Sequence, residues 1–363
     1  MTALSPQALD GPVLVVGCGL IGTSVGLALR SHDVDVVLHD ALPGNVEVAV
    51  SRGAGRPLDD TVRPYLVVVA VPPSASGAVV ADALARWDAA LVTDVTSVRS
   101  GIQQAVEGLD GAERFAGGHP MAGSERSGPM AASAQLFEGR PWAVTPGPTT
   151  RSDALDAVVD LALHVGAVPI IMESAAHDRA VALVSHVPQV MSTLTAARLN
   201  EAEGNSLALS GAGLRDTTRI AASDSALWRD ILGTNRRDVK AVLERVRDDL
   251  DRVIGALDAD DAADDDDVLA SVLESGRRGT ALIPGKHGSS ASDVDVVHVQ
   301  VADRPGELSR LMAHTGEAGV NIEDLRLDHD LGRPVGLAEI AVAAGVGEAL
   351  VQALTSRGWT AYP

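Results

Sequence analysis

The chain of 363 residues holds one cysteine, Cys18, so no internal disulfide can form, and it is expected to work in a reducing cytoplasm. Aromatic residues make up only 2% of it, so its cores must be built from Val, Leu, Ile and Ala. Hydrophobic residues still reach 46%, enough for two or three domains with real cores. Lysine is confined to Lys240 and Lys286, and the net charge is −20; that balance excludes nucleic acid and an anionic membrane surface as natural partners. Seven aspartates crowd the run from Asp258 to Asp267. They read as a solvated loop, and no fixed ligand spacing marks a metal site there. The uncharged stretch from Gly11 to Leu29 approaches the length of a membrane span. No basic segment precedes it and glycines interrupt it, so a buried strand, tight turn and helix account for it better.

From Pro12 to Met172 short apolar runs alternate with helical stretches: Val13–Val16, Val34–Leu38, Leu66–Val71, Ala89–Val95, Trp142–Val144 and Val168–Met172. Unbroken runs suit strands covered on both faces, and strand–helix alternation implies a doubly wound parallel sheet in an α/β, Rossmann-like domain over residues 1–173. Residues 174–283 read as a helical domain. Val239, Val242, Leu243, Val246, Leu250 and Val253 form one stripe on a helix over Arg236–Leu257, and a further helix follows the acidic run at Val268–Ser275. Such a surplus of apolar helical faces fits a homodimer. Residues 284–293 have linker composition. Residues 294–363 carry strand and helix signals in the order β-α-β-β-α-β, a ferredoxin-like unit.

Gly17-Cys18-Gly19-Leu20-Ile21-Gly22 follows a strand and opens a helix. Gly17 permits the turn, Gly19 lets a pyrophosphate approach the backbone, and Gly22 lets helix and strand pack closely. The helix start, with Leu20 and Ile21, offers N–H groups to phosphates. Asp40 ends the second strand, where a carboxylate accepts hydrogen bonds from ribose hydroxyls and repels a 2′-phosphate. Val71, at the end of the third long apolar run, completes the expected cofactor set. NAD is therefore the expected cofactor; the bland alternative is a glycine turn with no ligand.

Three further segments carry chemistry. Thr93-Asp94-Val95-Thr96-Ser97-Val98 puts Ser97 at the carboxyl edge of the sheet, at the start of a helix. Gly117-Gly118-His119-Pro120-Met121-Ala122-Gly123-Ser124-Glu125 holds a histidine between glycines and proline, in what reads as a loop. Gly213 to Ser223, continuing to Trp228-Arg229-Asp230-Ile231, sets arginines among small and hydroxyl residues, suited to clamping a carboxylate.

Together with Ser185-His186-Val187-Pro188, these segments resemble the prephenate/arogenate dehydrogenase family, whose members carry G-G-H-P-x-A-G-[ST]-E, S-H-x-P and T-R-I-A. The matches spread over most of residues 13–231. One departure is Thr96, which stands where the family often has Gly before the serine. The resemblance implies an NAD-dependent oxidative decarboxylation in tyrosine biosynthesis, of prephenate or of its amino relative arogenate. It makes His119 the hydrogen-bond acceptor and base for the substrate hydroxyl, with Ser97 orienting it. Arg219 is expected on a substrate carboxylate and His186 at the side-chain end. Ser223 and Trp228 line the pocket, Trp228 from either subunit, while Glu125 and Asp216 gate or support it. His186 as a satisfied core histidine and Trp228 as plain packing stay open, as does a non-catalytic sensor of NAD and amino acids.

Val301 to Leu308 and Gly319 to Ile322 resemble ACT domains. That resemblance implies amino-acid binding, tyrosine being the expected effector, with Asp303, Gly306, Glu307 and Asn321 as regulatory residues. An oligomerisation module without a ligand is the alternative.

Overall fold

The structure, a computed structural model, describes residues 9–123, 126–258, 262–283, 294–329 and 335–363. Packing divides the chain into two compact units: Met1–Ala202 with Thr217–Arg245, and Glu203–Asp216 with Val246–Pro363.

In the first unit β1 (Val13–Val16), β2 (Val36–His39), β3 (Arg56–Pro57), β4 (Leu66–Val69) and β5 (Leu91–Asp94) form a parallel sheet in the order β3-β2-β1-β4-β5. Helices α1 (Leu20–Arg30), α2 (Pro43–Ser51), α3 (Pro73–Arg86) and α4 (Ser100–Val106) follow successive strands. β1 and β4 are buried at every residue, which is why they read as unbroken apolar runs. Alternation sends Val13, Val15, Leu66 and Val68 into one core cluster, and Leu14, Val16, Val67 and Val69 into another.

The runs at Trp142–Val144 and Val168–Met172 do form strands, but outside that sheet. β6 (Ala116–Pro120), β7 (Pro141–Pro146) and β8 (Val168–Ile171) make a separate three-stranded sheet, β6 antiparallel to β7 and β7 parallel to β8. α5 (Ser152–His164) crosses from β7 to β8 and buries Ala154, Ala157, Val158 and Leu161. His119 therefore lies on a strand, paired with Ala143, and not in the expected loop. Gly117 and Gly118 hide that strand from sequence patterning, because they are selected for close approach. A Cβ on Gly118 would come within 2.7 Å of the Asp94 carbonyl and 2.8 Å of Trp142 Nε1, and one on Gly117 would strike the Arg99 guanidinium.

α6 (Ser174–Val181), a π-helical turn (Ala182–His186) and α7 (Val187–Arg198) run on end to end. By length and composition the stretch Ser174–Glu201 could cross a membrane. It nevertheless buries His177, Asp178, His186, Gln189 and Ser192 within the first unit, as a core helix does. α8 (Ala212–Thr218), α9 (Ser225–Thr234) and α10 (Arg236–Asp258) follow. α11 (Ala262–Thr280) corrects the reading of the acidic run as a loop, because residues 264–267 lie on this helix. Aspartates gathered in the opening turns oppose the positive end of the helix dipole.

In the second unit β9 (Val294–Ala302), α12 (Glu307–Glu317), β10 (Ile322–His329), β11 (Val335–Ala343), α13 (Gly347–Ser356) and β12 (Ala361–Tyr362) build an antiparallel sheet in the order β10-β11-β9-β12. Its core is Val297, Val299, Leu311, Ile340, Leu350 and Leu354. The expected linker, residues 284–293, lies outside the described residues.

Candidate active site

Parallel strands β1 and β4 deliver their following loops to one edge of the sheet, the edge where such folds bind ligands. Gly17 has φ +104°, and a Cβ on it would collide with the Ala70 carbonyl and stand 3.1 Å from Val71. Gly22 presses α1 onto β1, since a Cβ there would collide with the Gly17 carbonyl and approach Val15 to 3.0 Å. Gly19 has nothing within 4 Å of the corresponding point, so the turn is open on that side. It precedes α1 without a side-chain cap, leaving the N–H groups around Leu20 and Ile21 to a ligand.

Asp40 accepts from the Cys18 N–H at 2.6 Å and the Leu42 N–H at 2.8 Å, with Asn45 Nδ2 at 3.3 Å. The carboxylate is thus held beside the glycine turn with lone pairs to spare for ribose hydroxyls. These residues fit an NAD-type dinucleotide. Burial, reinforced by Asp40, pushes the Cys18 thiol up to about 12, so it stays protonated and unreactive.

Beyond the carboxyl end of β5 lies a dense buried polar network. Arg99 and Asp94, both essentially without solvent exposure, form a two-pronged ion pair. The same guanidinium donates to the Thr96 carbonyl at 3.1 Å, Thr145 Oγ1 at 3.2 Å and the Gly118 carbonyl at 2.9 Å. That last bond fixes the strand residue just before His119. Asp178 accepts from the Arg99 N–H at 2.7 Å and the Ser100 N–H at 2.8 Å, and it meets His177 Nδ1 at 2.9 Å. His177 Nε2 in turn lies 2.9 Å from His119 Nδ1.

Burial, then the charges expected on neighbouring His177 and Arg99, hold His119 well below its ordinary 6.5. Burial alone would raise the Asp178 carboxyl. The hydrogen bonds from His177, Ser100 and Arg99 outweigh it and bring the group down to about 2. His119 is accordingly neutral, and Asp178 ionised, near pH 7.

His186, at the end of the π-helical turn, joins the same network. Asn235 Nδ2 lies 2.8 Å from the Asp178 carbonyl and 3.1 Å from His186 Nδ1. Burial lowers His186 to about 4. Trp228 packs edge-on against its ring, with centroids 6.0 Å apart, so in this chain Trp228 reaches the site from the same subunit.

Arg219 and Ser223 sit on and just after the turn Arg219–Ala222, which packs on α7 through Gln189 Nε2 donating to the Ile220 carbonyl at 2.9 Å. Arg219 is exposed, and Ser223 Oγ donates to the Ile220 carbonyl at 2.8 Å. Asp216 is exposed on α8 and belongs to the second unit. Glu125 lies outside the described residues. Ser97 is in the loop after β5, ahead of α4 rather than in it, and its buried Oγ has no hydrogen-bond partner among the described residues. The orienting contact expected from Ser97 is made by His177. Sequence reading missed Asp94, Arg99, His177, Asp178 and Asn235, although an adjacent buried His-Asp pair eight residues before Ser185-His186 was a usable signal.

Comparison with known proteins agrees with this geometry. A family model for the prephenate dehydrogenase nucleotide-binding domain matches residues 25–171, and one for the prephenate dehydrogenase dimerization domain matches residues 173–274. The chain is 35% identical to the Streptomyces niveus protein described as "Probable prephenate dehydrogenase NovF", over 96% of this chain and 98% of that one. Its structure is similar to prephenate dehydrogenase from A. aeolicus in complex with hydroxyphenyl propionate and NAD+, with a TM-score of 0.67 and 26% identity, covering 77% of this chain and 99% of that one. It also resembles Synechocystis arogenate dehydrogenase, with a TM-score of 0.60 and 25% identity over 74% and 99% of the two chains.

Proposed function

The chain belongs to the prephenate dehydrogenase family, and from that premise we propose that it converts prephenate and NAD to 4-hydroxyphenylpyruvate, carbon dioxide and NADH. A neutral, buried His119 at the ligand-binding edge of a dinucleotide fold is the observation that carries this reading. Bound NAD, held by the Gly17–Gly22 turn and Asp40 with Val71 alongside, supplies the hydride acceptor.

His119 accepts the proton of the C4 hydroxyl as the hydride leaves C4. The bond from C1 to its carboxylate then breaks, and the released electron pair passes through the ring to the C4 oxygen. A phenolate forms, and the proton held by His119 returns to it. Aromatisation drives the sequence, so the protein mainly supplies position and proton management. Arg219 clamps a substrate carboxylate, His186 and Ser223 meet the substrate beside Trp228, and Ser97 reaches the reacting hydroxyl. Glu125 and Asp216 support the pocket.

Steady-state NADH formation with each substrate tests this. His119→Asn should lower kcat by about 10² to 10⁴, and undiminished turnover would remove His119 from the mechanism. Faster turnover of arogenate than of prephenate would move the assignment to arogenate dehydrogenase. An inert wild type given both would favour a sensor.

The working form is a homodimer in the cytoplasm. Leu183, Val184 and Leu194 are each more than half exposed on the long helix within the span matched by the dimerization-domain model, and a second copy covers them. The second unit is read as a ferredoxin-like ACT domain that binds tyrosine, on the support of its β-α-β-β-α-β order and antiparallel sheet. Gly306, at φ +90°, starts α12 ahead of Glu307, whose carboxylate pairs with Arg310, and Asn321 bonds Glu323; Asp303 lies in the turn just before. A chain ending at Ile283 should keep its basal turnover and lose inhibition by tyrosine. Retained inhibition would overturn the assignment.

A further inference from the structure

Two imidazoles flank Asp178, and the groups bonded to it treat them oppositely. The carboxylate of Asp178, buried with His177 and ionised, can only accept. The proton of a neutral His177 is therefore on Nδ1, facing that carboxylate at 2.9 Å, and its lone pair is on Nε2. Only one proton fits between His177 Nε2 and His119 Nδ1, 2.9 Å apart. His119 must supply it, which leaves the lone pair of His119 on Nε2.

The other branch leaves from the main chain. The Asp178 carbonyl can only accept, so the Asn235 atom 2.8 Å away is its NH2 group. That same group faces His186 Nδ1 at 3.1 Å. Nδ1 of His186 is therefore the acceptor, and the ring proton is on Nε2.

We propose that Asp178, acting through His177 and Asn235, sets the two histidines in opposite tautomers, making His119 an acceptor and His186 a donor at their free Nε2 atoms. Neither His177 nor Asp178 touches the reacting atoms; both are positioning residues. The inference rests on His119 being the base and assigns the complementary role to His186: a neutral donor for a carbonyl or carboxylate oxygen of the same substrate. When His119 takes up a proton, its Nδ1–H bond to His177 becomes charge-assisted and stronger, and the proton need travel no further.

Long-range 1H–15N correlation spectra of the full-length, 15N-histidine-labelled protein with NAD, near pH 7.5, read the tautomers directly. His119→Asn and His186→Asn serve to assign the signals. The expected wild-type pattern is Nδ1–H for His119 and Nε2–H for His186. Asp178→Asn offers an amide NH2 to His177 and reverses the ring order, so His119 should move to Nε2–H while kcat falls at least about 100-fold with KM nearly constant. Wild-type His119 protonated on Nε2, His186 protonated on Nδ1, or a folded Asp178→Asn variant with unchanged kcat would each overturn the proposal. If Asp178→Asn does not fold, the wild-type spectrum decides alone. The two readings fail separately: an active His119→Asn enzyme removes the base, whereas an inert one with the wrong wild-type tautomer removes only the positioning role.

Discussion

The two compact units bury different things. In the second, Thr315 is the one buried polar residue among those described, and its hydroxyl merely returns to the Leu311 carbonyl of its own helix. The rest of that core is apolar and held by area. The first unit buries Asp94, Arg99, His177, Asp178, His186 and Asn235 in one connected network. Buried ions and imidazoles are costly unless fully partnered, so a fold that needs only stability has no use for them. Their concentration around His119 shows which unit is built for placing atoms to within tenths of an ångström.

The contrast can be broken by removing partners. Asp94→Ala strands the Arg99 guanidinium in the interior and should destabilise the first unit by about 3–5 kcal/mol, measured by denaturant unfolding; a loss under 1 kcal/mol would mean the pair is not buried in solution. Acid should act next. His186 has its ordinary 6.5 when unfolded and about 4 when folded, so below pH 6.5 the unfolded chain binds the extra proton. Stability therefore falls as pH drops from 6.5 to 4, by about 3 kcal/mol from this group, and His119 adds to the fall in the same direction. Asp178, at about 2, keeps its contribution until the pH passes below 3.8. Stability that is flat between pH 7 and 4.5 would contradict the burial of both rings. The smallest effect belongs to the second unit: Thr315→Val should change its stability by less than about 1 kcal/mol, since the Leu311 carbonyl keeps its helical bond. A larger loss there would erase the contrast.

What was legible in the sequence follows the same division. The glycine turn, Asp40 and the parallel strands announce themselves through short-range pattern, and the C-terminal alternation of strand and helix does too. His119 was found as a residue but misplaced as a loop, because the glycines beside it serve Arg99 and Asp94 rather than a turn. The network could not be read, because Arg99 meets Asp178 and Asn235 meets His186 across 79 and 49 positions. On its own helix each of those side chains is an unremarkable polar residue.

The π-helical turn at Ala182–His186 has a consequence for how this site tolerates change. In a regular helix, residues nine apart point to opposite sides, yet His177 and His186 converge on the same aspartate and its main chain. The wider turn supplies the missing rotation, so Leu183 and Val184 matter for their count more than for their identity. Exchanging either side chain leaves the phase of everything downstream intact. Deleting one residue would swing His186, and with it Gln189 and the turn bearing Arg219, around the axis and away from His119.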